Sequence, residues 1–391
     1  MSRGLLGGEM VNNVSMAVWC IGRTAVTNSQ MEAHFNYWRL AGERTSSNKK
    51  ASNDFVEVGI MLKVPQSVDK VKIYFPAKIE RKSISDCSHY FKDPQISQGI
   101  FNEPLDVTDR DVSSIRCVEL TNAISSTPVC RVHKFLENGS QIDASELELS
   151  DQNDGTILTI SGSAISDYYH KGEDPAIPLY FRLRIIVPSP NPFVKSINTA
   201  ERFFQSGFDQ IEYVDFRLNE ARTLPKNIEI MMKKERSVGG MVELNMVAFL
   251  TAIPIKSQVS MSSNQPRKFR ILEDRIWQNY ISGGIPSGML VYHWKDERDI
   301  EIPYFSAFVR IQTRRTGSRI LVNYLVIAFL FAILGNLTAA GLQSMITYLW
   351  AIRSQGEAQG SPGGQEDAAR SSYPPSKPPA GVSGGAVDAR P

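Results

Sequence analysis

The sequence is poor in cysteine, in histidine and in excess charge of either sign. It contains 4 cysteines and 5 histidines in 391 residues. So few cysteines exclude a disulfide-rich scaffold and fit a reducing compartment. The 43 Lys and Arg residues nearly balance the 41 Asp and Glu residues, which leaves a formal net charge of +2. Because this balance gives no basic field over the whole chain, we predict no nucleic-acid partner.

Recognisable catalytic motifs are also missing. The sequence has no Walker loop, no GxGxxG stretch that opens a helix, no HExxH, and no Gly-x-Ser-x-Gly elbow that joins a strand to a helix. Their absence favours a binding protein over an enzyme, and we expect no cofactor. An enzyme would need a site assembled from loops, such as a deep cleft that holds several carboxylates or a histidine of perturbed pKa.

Charge is absent altogether from one long stretch near the C-terminus. Residues 320–352 form a run of 33 uncharged residues, of which 25 are apolar or aromatic. About 20 apolar helical residues cross a bilayer core ~30 Å thick, so this run is long enough to span one. A core helix is normally shorter and carries a charged stripe, and a signal sequence would be N-terminal. We predict a single transmembrane helix, with Tyr324, Tyr348 and Trp350 at the head-group level.

Positive residues are unevenly placed around this helix. Arg353 alone follows it closely, whereas four arginines precede it. These are Arg310, Arg314, Arg315 and Arg319. Positive residues stay on the cytoplasmic side, and each contributes about 1 kcal/mol beside anionic lipid. We therefore predict a cytoplasmic N-terminal body and an extracytoplasmic tail, in the plasma membrane or a bacterial inner membrane. The polar residues near position 12 interrupt any signal-peptide pattern, which agrees with this orientation.

A stripe of small and polar residues runs along the predicted helix. At 100° per residue, four side chains fall within about 60° of one another. They are Asn336, Ala340, Gln343 and Thr347, and Gly335 and Ala339 form a small-xxx-small pair beside them. Amides hydrogen-bond across helices, and small residues allow close approach. We predict that this face associates with another copy or with a partner membrane protein. A pore in a larger ring, or simple tolerance of uncharged amides, are the alternatives.

The region before the helix shows the alternation of apolar and polar residues that is typical of strands. The clearest segments are 56–64 and 179–187, and in the second Arg182 and Arg184 lie opposite five apolar residues. About a dozen such segments predict a mainly β body, built as one or two sandwiches with two short helices.

Several local elements are also predicted. Segment 56–64 should form a hairpin with 71–75, and residues 228–232 should form a strand. The two short helices are placed at 197–204 and 269–280.

The chain divides by composition into five regions. Residues 1–54 hold the first strands and a polar loop, 55–190 form a β subdomain, and 191–316 form a second β-rich subdomain that begins after a proline-rich segment. Residues 320–352 form the transmembrane helix. Residues 353–391 are rich in Pro, Gly and Ser, and we expect them to be disordered.

One group of residues has the side chains that bind zinc. It comprises Cys87, His89, Cys117, Cys130 and His133. Thiolates and imidazoles are the usual zinc ligands, but the spacing matches no paired-knuckle pattern. Cys130 and His133 would also point to opposite faces of one strand. We favour the interpretation that these are buried free cysteines, and we expect no metal.

Charged residues are dense at two further places. The first comprises Asp215, Arg217, Glu220 and Arg222, and the second comprises Glu273, Asp274 and Arg275. Carboxylate–guanidinium pairs serve either as structural bonds or in the recognition of a polar ligand. Without geometry, the structural role is favoured.

These features are consistent with three functions. The favoured one is a single-pass, membrane-anchored binding or scaffold protein, whose β body recognises a partner or ligand and whose helix localises and oligomerises it. A ligand-gated, membrane-disrupting or pore-forming effector has the same order of parts. A membrane-anchored hydrolase with a site built from loops is the third, so an enzymatic activity stays open. The expected partners are the lipid bilayer and a second copy or a partner membrane protein.

Overall fold

The structure is a computed structural model, and it describes most of the chain. The described residues are 15–23, 29–40, 54–112, 115–166, 177–197, 209–281, 284–285, 288–314 and 318–358. The chain divides into two compact units, a body within residues 1–316 and a helical segment within 317–391.

The body consists mainly of strands. They are β1 (Ser15–Gly22), β2 (Ser29–Trp38), β3 (Phe55–Leu62), β4 (Val68–Phe75), β5 (Ile84–Asp86), β6 (Leu105–Val112), β7 (Ile115–Asn122), β8 (Pro128–His133), β9 (Glu137–Asn138), β10 (Gln141–Ile142), β11 (Leu147–Gln152), β12 (Gly155–Ile160), β13 (Leu179–Ile186), β14 (Val194–Ile197), β15 (Asp209–Leu218), β16 (Val242–Pro254), β17 (Ser257–Ser262), β18 (Lys268–Ile271), β19 (Met289–Glu297) and β20 (Phe305–Arg314). The helices are α1 (Pro94–Phe101), α2 (Gly162–Ser166), α3 (Lys226–Val238), α4 (Asp274–Trp277) and, in the second unit, α5 (Ser318–Ala358).

The described strands of the body form two large sheets and one small ribbon. The first sheet has the order β11-β12-β4-β1-β15-β20-β17, with β14 paired to β15. The second has the order β18-β19-β16-β2-β3-β13-β8-β7-β6, with β5 paired to β13. We call them the eight-stranded and the ten-stranded sheet. Strands β9 and β10 pair only with each other.

One hydrophobic core joins the two sheets. Phe35 of β2 and Phe249 of β16 come from the ten-stranded sheet, and both rings contact Phe216 of β15, with ring centroids 4.9 and 4.4 Å apart. All three side chains are almost fully buried. Strand β3 illustrates the alternation that builds this core, since the side chains of Val56, Val58, Ile60 and Leu62 all belong to it. The alternate residues of β3 lie on the outer face of the sheet.

The prediction of a mainly β, sandwich-like body followed by one long apolar helix is confirmed. The predicted hairpin between the third and fourth strands is wrong. Strand β3 belongs to the ten-stranded sheet and β4 to the eight-stranded sheet, and a 3-10 turn at Pro65–Ser67 carries the chain between them. Both strands have a buried inner face, so their local patterns are identical whether they pair with each other or face each other across the core.

The predicted strand at 228–232 is also wrong, because it lies in helix α3. Ile228 and Met232 pack with Trp19 and Tyr74 on the outside of the eight-stranded sheet. Apolar residues at i and i+4 followed by a polar run suit an amphipathic helix, but five residues are too few to separate it from a strand. Helices α1 and α2 were not predicted either. The predicted helix at 197–204 lies, after its first residue, outside the described residues.

The segment 269–280 is only partly helical. It begins as strand β18 at the edge of the ten-stranded sheet, and only Asp274–Trp277 forms helix α4. Composition suggests a subdomain boundary near residue 190. Each large sheet contains strands from both sides of that position, because β1 pairs with β15 and β2 pairs with β16. The disordered tail expected from residue 353 includes the end of α5, and its remainder lies outside the described residues.

Helix α5 is one continuous helix of 41 residues. Within it, Tyr324–Ser354 is long and apolar enough to cross a membrane. Every side chain from 328 to 354 is exposed to the surroundings rather than packed into a core. A core helix of a soluble protein buries an apolar face, so this exposure favours a lipid environment.

Candidate functional site

The outer face of the ten-stranded sheet carries a row of aligned residues across five strands. Arg182 of β13 lies opposite Gly59 of β3, which lies opposite His34 of β2. His34 in turn lies beside Ala248 of β16, and Ala248 lies opposite Lys295 of β19. Two positive residues therefore end the row, about 19 Å apart at four strand spacings, and Gly59, His34 and Ala248 lie between them.

This face is covered by other elements, which leave a cavity of about 560 Å³. Its lining includes Gly99–Glu103 around the end of α1, Trp277 of α4 and residues in and around β18. The floor contains Arg182, His34, Ala248 and Lys295 of this row, together with Trp38 and Asn36. We call this space the sheet cavity. Its volume falls in the range of small-molecule sites.

A buried ion cluster lies beside the sheet cavity. Glu57 is fully buried, and its carboxylate accepts hydrogen bonds from two guanidinium groups. Arg182 Nη2 lies 2.6 Å from Glu57 Oε2, and Arg184 Nη2 lies 2.8 Å from Glu57 Oε1. Tyr280 Oη and Trp38 Nε1 also donate to this carboxylate, at 2.9 and 3.4 Å. Burial opposes ionisation, but the two arginines keep the pKa of Glu57 below its usual value.

The second arginine of this cluster is surrounded by aromatic rings. The Arg184 guanidinium lies 4.5 Å from the ring centroid of Phe55, 4.8 Å from that of Tyr280 and 5.1 Å from that of Tyr90. It also donates to the main-chain oxygen of Tyr280 at 2.8 Å. Cation–π contacts and a full set of hydrogen bonds explain how this charge is held in the interior.

The first arginine is less completely satisfied. Arg182 is 1% exposed, and its Nη1 donates to Tyr180 Oη at 3.0 Å. Its Nη2 also donates to the amide oxygen of Asn36 once that amide is oriented to suit its neighbours. Its Nε has no hydrogen-bond partner among the described residues. Trp277, which also lines the sheet cavity, likewise has a buried Nε1 without a partner in the described part of the chain.

Gly59 makes room for the tyrosine that orients Arg182. A Cβ at position 59 would lie 2.0 Å from Tyr180 Oη, which no side chain can tolerate. The hydroxyl of Tyr180 also lies 3.2 Å from His34 Nδ1. The glycine therefore permits a chain of contacts from His34 through Tyr180 to Arg182 on the floor of the sheet cavity.

Two histidines report the positive potential of the sheet cavity. Burial, and after it the charge of Arg182, lowers the pKa of His34 to about 3. Burial, followed by the charges of Lys295 and Lys268, lowers the pKa of His293 to about 4. A general base works best with a pKa near the working pH, so both imidazoles are weak bases at neutral pH. The cavity therefore suits binding of a negative group better than proton transfer.

A second cavity of about 580 Å³ lies next to the sheet cavity. Arg267 and Lys295 line both spaces. Among the residues lining the second cavity, Trp294 donates from Nε1 to the main-chain oxygen of Asn264 at 2.9 Å. None of the residues that line it is a buried charge, and we therefore take the sheet cavity as the candidate site.

The first predicted charge cluster is brought together as a chain of ion pairs. Arg217 pairs with Asp215 at 2.7 Å and with Glu220 at 3.2 Å, and Arg222 pairs with Glu220 at 2.6 Å. The chain starts on the outer face of the eight-stranded sheet and is balanced, with two carboxylates for two guanidiniums. Exposed balanced pairs contribute about 0–1 kcal/mol each.

The second predicted charge cluster lies on the other sheet, at the start of α4. Glu273 accepts a hydrogen bond from Arg270 at 3.0 Å, and both are about half exposed. Asp274 is the first residue of α4, where a carboxylate favours the helix dipole. Arg275 follows it and is exposed. The two predicted clusters therefore belong to different surfaces.

The candidate zinc ligands are dispersed. Cys117 of β7 lies opposite His133 of β8, but His133 contacts the buried Glu146 at 3.2 Å. Cys87 and Cys130 are buried free thiols, and burial raises the pKa of each. The ring of His89 contacts that of Tyr90 at a tilt of 39°, with the centroids 3.9 Å apart. Among the residues that the structure describes, no group of three or more His, Cys, Asp or Glu is placed to hold a metal ion.

The predicted membrane residues lie in or beside the second unit. The stripe of Asn336, Gln343 and Thr347 is exposed along α5. The hydroxyl of Thr347 donates to the main-chain oxygen of Gln343 at 2.8 Å, so the two amides are the main polar groups of this face. Among the flanking arginines, Arg310 and Arg314 belong to β20 and Arg319 to the first turn of α5, whereas Arg315 lies outside the described residues.

The residues of the sheet cavity were not predicted as a site. The sequence did contain a signal, since Arg182 and Arg184 occupy one face of an otherwise apolar strand and Glu57 occupies the same face of another. Charges of opposite sign on two otherwise apolar strands suggest that the strands are neighbours in a sheet and that their charged side chains form ion pairs on its outer face. Trp277, His34 and His293 carry no local signal, because their meeting depends on strand pairing.

Comparison of the sequence with protein-family models and with curated proteins finds no match. The geometry of the sheet cavity and the composition of α5 are therefore the basis for a functional proposal.

Proposed function

We propose that the chain is a single-pass, membrane-anchored binding protein. Its β body recognises a small ligand or partner on the cytoplasmic side, and α5 localises the body to the membrane and brings copies together. The observation that carries this proposal is the continuous helix α5, whose Tyr324–Ser354 segment is long and apolar enough to cross a bilayer.

The aromatic residues of α5 match the dimensions of a bilayer. Tyr324 and Tyr348 are 24 residues apart, which corresponds to ~36 Å along the helix. The hydrocarbon core is ~30 Å thick, so the two rings would lie just outside it, at the head groups. Asn336 lies midway between them, at the centre of the bilayer.

The polar groups of α5 favour association with another helix. An amide at the bilayer centre has no water to bond with, so it gains most from a partner across a helix interface. Asn336 and Gln343 are seven residues apart on one face, and Ala340 between them allows close approach. The partner is a second copy of this helix or a helix of a partner membrane protein.

The flanking arginines support a cytoplasmic body. Arg310, Arg314, Arg315 and Arg319 precede the span, and Arg353 alone follows it closely. Under the positive-inside rule, the β body lies in the cytoplasm and the tail outside it, in a plasma membrane or a bacterial inner membrane.

The β body supports binding through the sheet cavity. The cavity has the volume of a small-molecule site and is lined by both aromatic and charged residues. Two of its lining residues, Arg182 and Trp277, carry buried donors without partners in the described part of the chain. Its two imidazoles are weak bases, which disfavours a role in proton transfer.

Fractionation of cells that express the whole chain tests the anchor and the orientation. We expect the protein in the membrane fraction, resistant to alkaline carbonate and released by detergent. Protease added to sealed right-side-out cells should remove an epitope placed after residue 391 and spare one placed before residue 1. A chain that stays soluble without detergent overturns the anchor, and digestion of the body with a protected tail overturns the orientation.

A further inference from the structure

We propose that the sheet cavity binds a small molecule that carries phosphate groups. This inference rests on the proposed binding function and adds the chemical class of the ligand. Three observations support it: a buried excess of positive charge, buried donors without partners, and a positively charged lining.

The buried ion cluster beside the cavity is not balanced. The buried guanidinium of Arg182 and that of Arg184, whose side chain is 11% exposed, share the single carboxylate of Glu57. Arginine stays protonated at any pH that a folded protein tolerates, so the cluster keeps one net positive charge. A charge removed from water is costly unless it is paired. An anion in the sheet cavity would supply the missing countercharge to Arg182, which lines it.

Two of the residues that line the cavity carry donors without partners in the described part of the chain. Arg182 Nε and Trp277 Nε1 are both buried, and neither has a hydrogen-bond partner among the described residues. Their residues line the same cavity. A buried donor without a partner is costly, so it is rare unless a water, ion or ligand satisfies it. The tetrahedral oxygens of a phosphate can accept from several donors at once.

The lining of the cavity sets the charge of the ligand. Six lining residues are Lys or Arg and three are Glu. Four of the six positive residues have carboxylate partners: Lys63 with Glu32, Lys295 with Glu297, Arg182 with Glu57 and Arg270 with Glu273. Arg267 and Lys268 have no ion-pair partner in the described part of the chain. A carboxylate ligand supplies one negative charge per group, whereas a phosphate monoester supplies about 1.5 to 2. A phosphorylated ligand therefore balances the cavity with one or two groups.

The size of the cavity places the ligand among phosphate esters larger than inorganic phosphate. About 560 Å³ holds a molecule with a ring or sugar as well as its phosphates. The aromatic side chains of Trp38 and Trp277 provide apolar walls for that part. Both a soluble phosphate ester and the head group of a phosphorylated lipid share this chemistry.

Calorimetry on the detergent-solubilised whole chain tests the inference. The probes are inorganic phosphate, AMP, ADP and inositol trisphosphate, with citrate as a phosphate-free anion. We expect at least one phosphate ester to bind more tightly than inorganic phosphate and citrate. Vesicles of phosphatidylcholine with or without a phosphoinositide, mixed with protein reconstituted in nanodiscs, show whether the lipid source competes with the soluble one.

Matched variants place the bound probe in the cavity. Arg267→Gln combined with Lys268→Gln removes two lining charges, and we expect the Kd to rise at least tenfold, as for the loss of charge-assisted hydrogen bonds. Arg275→Gln removes an exposed arginine from α4 that does not line the cavity, and it should leave the Kd unchanged. Equal effects of the lining and control variants would overturn the assignment to this cavity.

Trp277→Phe provides a variant that should keep its fold. It removes the Nε1 donor, which has no partner within the described chain, and keeps an aromatic ring. We expect thermal stability without probe within a few degrees of the wild type, and a Kd raised about fivefold or more. An unchanged Kd would show that this nitrogen does not contact the ligand and would count against the inference.

The possible failures are distinguishable. Binding of citrate in preference to every phosphate ester, with sensitivity to the lining variants, overturns the phosphate class and leaves a binding function. No probe bound by a folded wild type overturns the inference while membrane fractionation still tests the anchor. A soluble chain overturns the proposed function whatever the calorimetry shows.

Discussion

At the scale of single residues, the buried charges on the outer face of the ten-stranded sheet depend on Glu57 for their stability. It is fully buried and neutralises one of two buried arginines, Arg182 and Arg184. Removing one partner of a buried pair leaves a charge without compensation. The same substitution in an exposed pair has little effect, because water replaces the lost partner.

Glu57→Gln should therefore destabilise the protein by about 3–5 kcal/mol, because it leaves two buried guanidiniums without a countercharge. The matched control is Glu273→Gln, which breaks the half-exposed pair with Arg270 and should cost less than about 1 kcal/mol. Guanidinium chloride unfolding of both variants in detergent measures the difference. Similar losses for the two would show that burial does not set the strength of this pair.

His34 makes the stability of the body depend on pH. Its pKa is about 3 in the folded protein, because burial and nearby positive charges such as Arg182 disfavour the imidazolium. In the unfolded chain it is about 6.5. Above pH 6.5 both states are neutral. As the pH falls below 6.5 the unfolded state binds a proton that the folded state does not, so stability is lost down to pH 3.

His34→Gln should remove the share of the acid sensitivity that comes from this residue and leave the share that comes from His293, whose pKa is lowered to about 4. Wild-type protein should lose about 2 kcal/mol through this residue between pH 7 and pH 5, and the variant should not. Glutamine keeps a group that can bond Tyr180 Oη. Urea unfolding at the two pH values and constant ionic strength measures the change. An equally steep loss in the variant would mean that other groups cause the acid sensitivity.

At the level of elements, helix α5 could be predicted almost completely from the sequence. Its apolar run is far longer than that of a core helix, so the prediction of a membrane-spanning helix does not depend on the residues that surround it in the fold. The shorter elements differ in this respect. Ile228 and Met232 suit a strand or a helix equally well within five residues, and their packing against Trp19 and Tyr74 decides for α3.

Association of α5 should depend on its polar stripe. With single cysteines at 343 and 345 in otherwise identical chains, we expect crosslinks in membranes at position 343 and few at 345, which lies on the opposite side of the helix. Combining Asn336→Leu with Gln343→Leu should weaken association by about 1–2 kcal/mol, because two interhelical amide bonds are lost. Met345→Leu is the control on the opposite face. Crosslinking at 345 rather than 343 would remove the significance of the stripe.

At the scale of the whole molecule, the sequence predicts the strands of the body better than their partners. Strand β2 pairs in parallel with β16, more than 200 residues later, and β1 pairs with β15 at a similar separation. Local alternation shows which face of each strand is buried but carries no information on its neighbour. The sheet cavity depends on such pairings, since His34 and His293 meet only because β16 lies between their strands. Its residues could therefore not be predicted as a group.

The two sheets are tied together by a buried ion cluster as well as by the core. Arg39 follows β2 of the ten-stranded sheet, and its Nη2 lies 2.7 Å from the carboxylate of Glu212 in β15 of the eight-stranded sheet. Its Nη1 lies 2.7 Å from Asp54. All three side chains are about 11% exposed or less. Because this cluster spans both sheets, we expect them to unfold together as one cooperative unit.

Arg39→Met should destabilise the body by about 3–5 kcal/mol, because it leaves the carboxylates of Glu212 and Asp54 buried without their guanidinium. Adding Glu212→Leu should restore part of this loss, since it replaces the buried carboxylate that bonds Arg39 with an apolar side chain of similar volume. Unfolding of both variants in guanidinium chloride is monitored by tryptophan fluorescence and by far-ultraviolet circular dichroism. Coincident transitions with the slope of the wild type support one unit that contains both sheets, and two separated transitions would show that the sheets unfold independently.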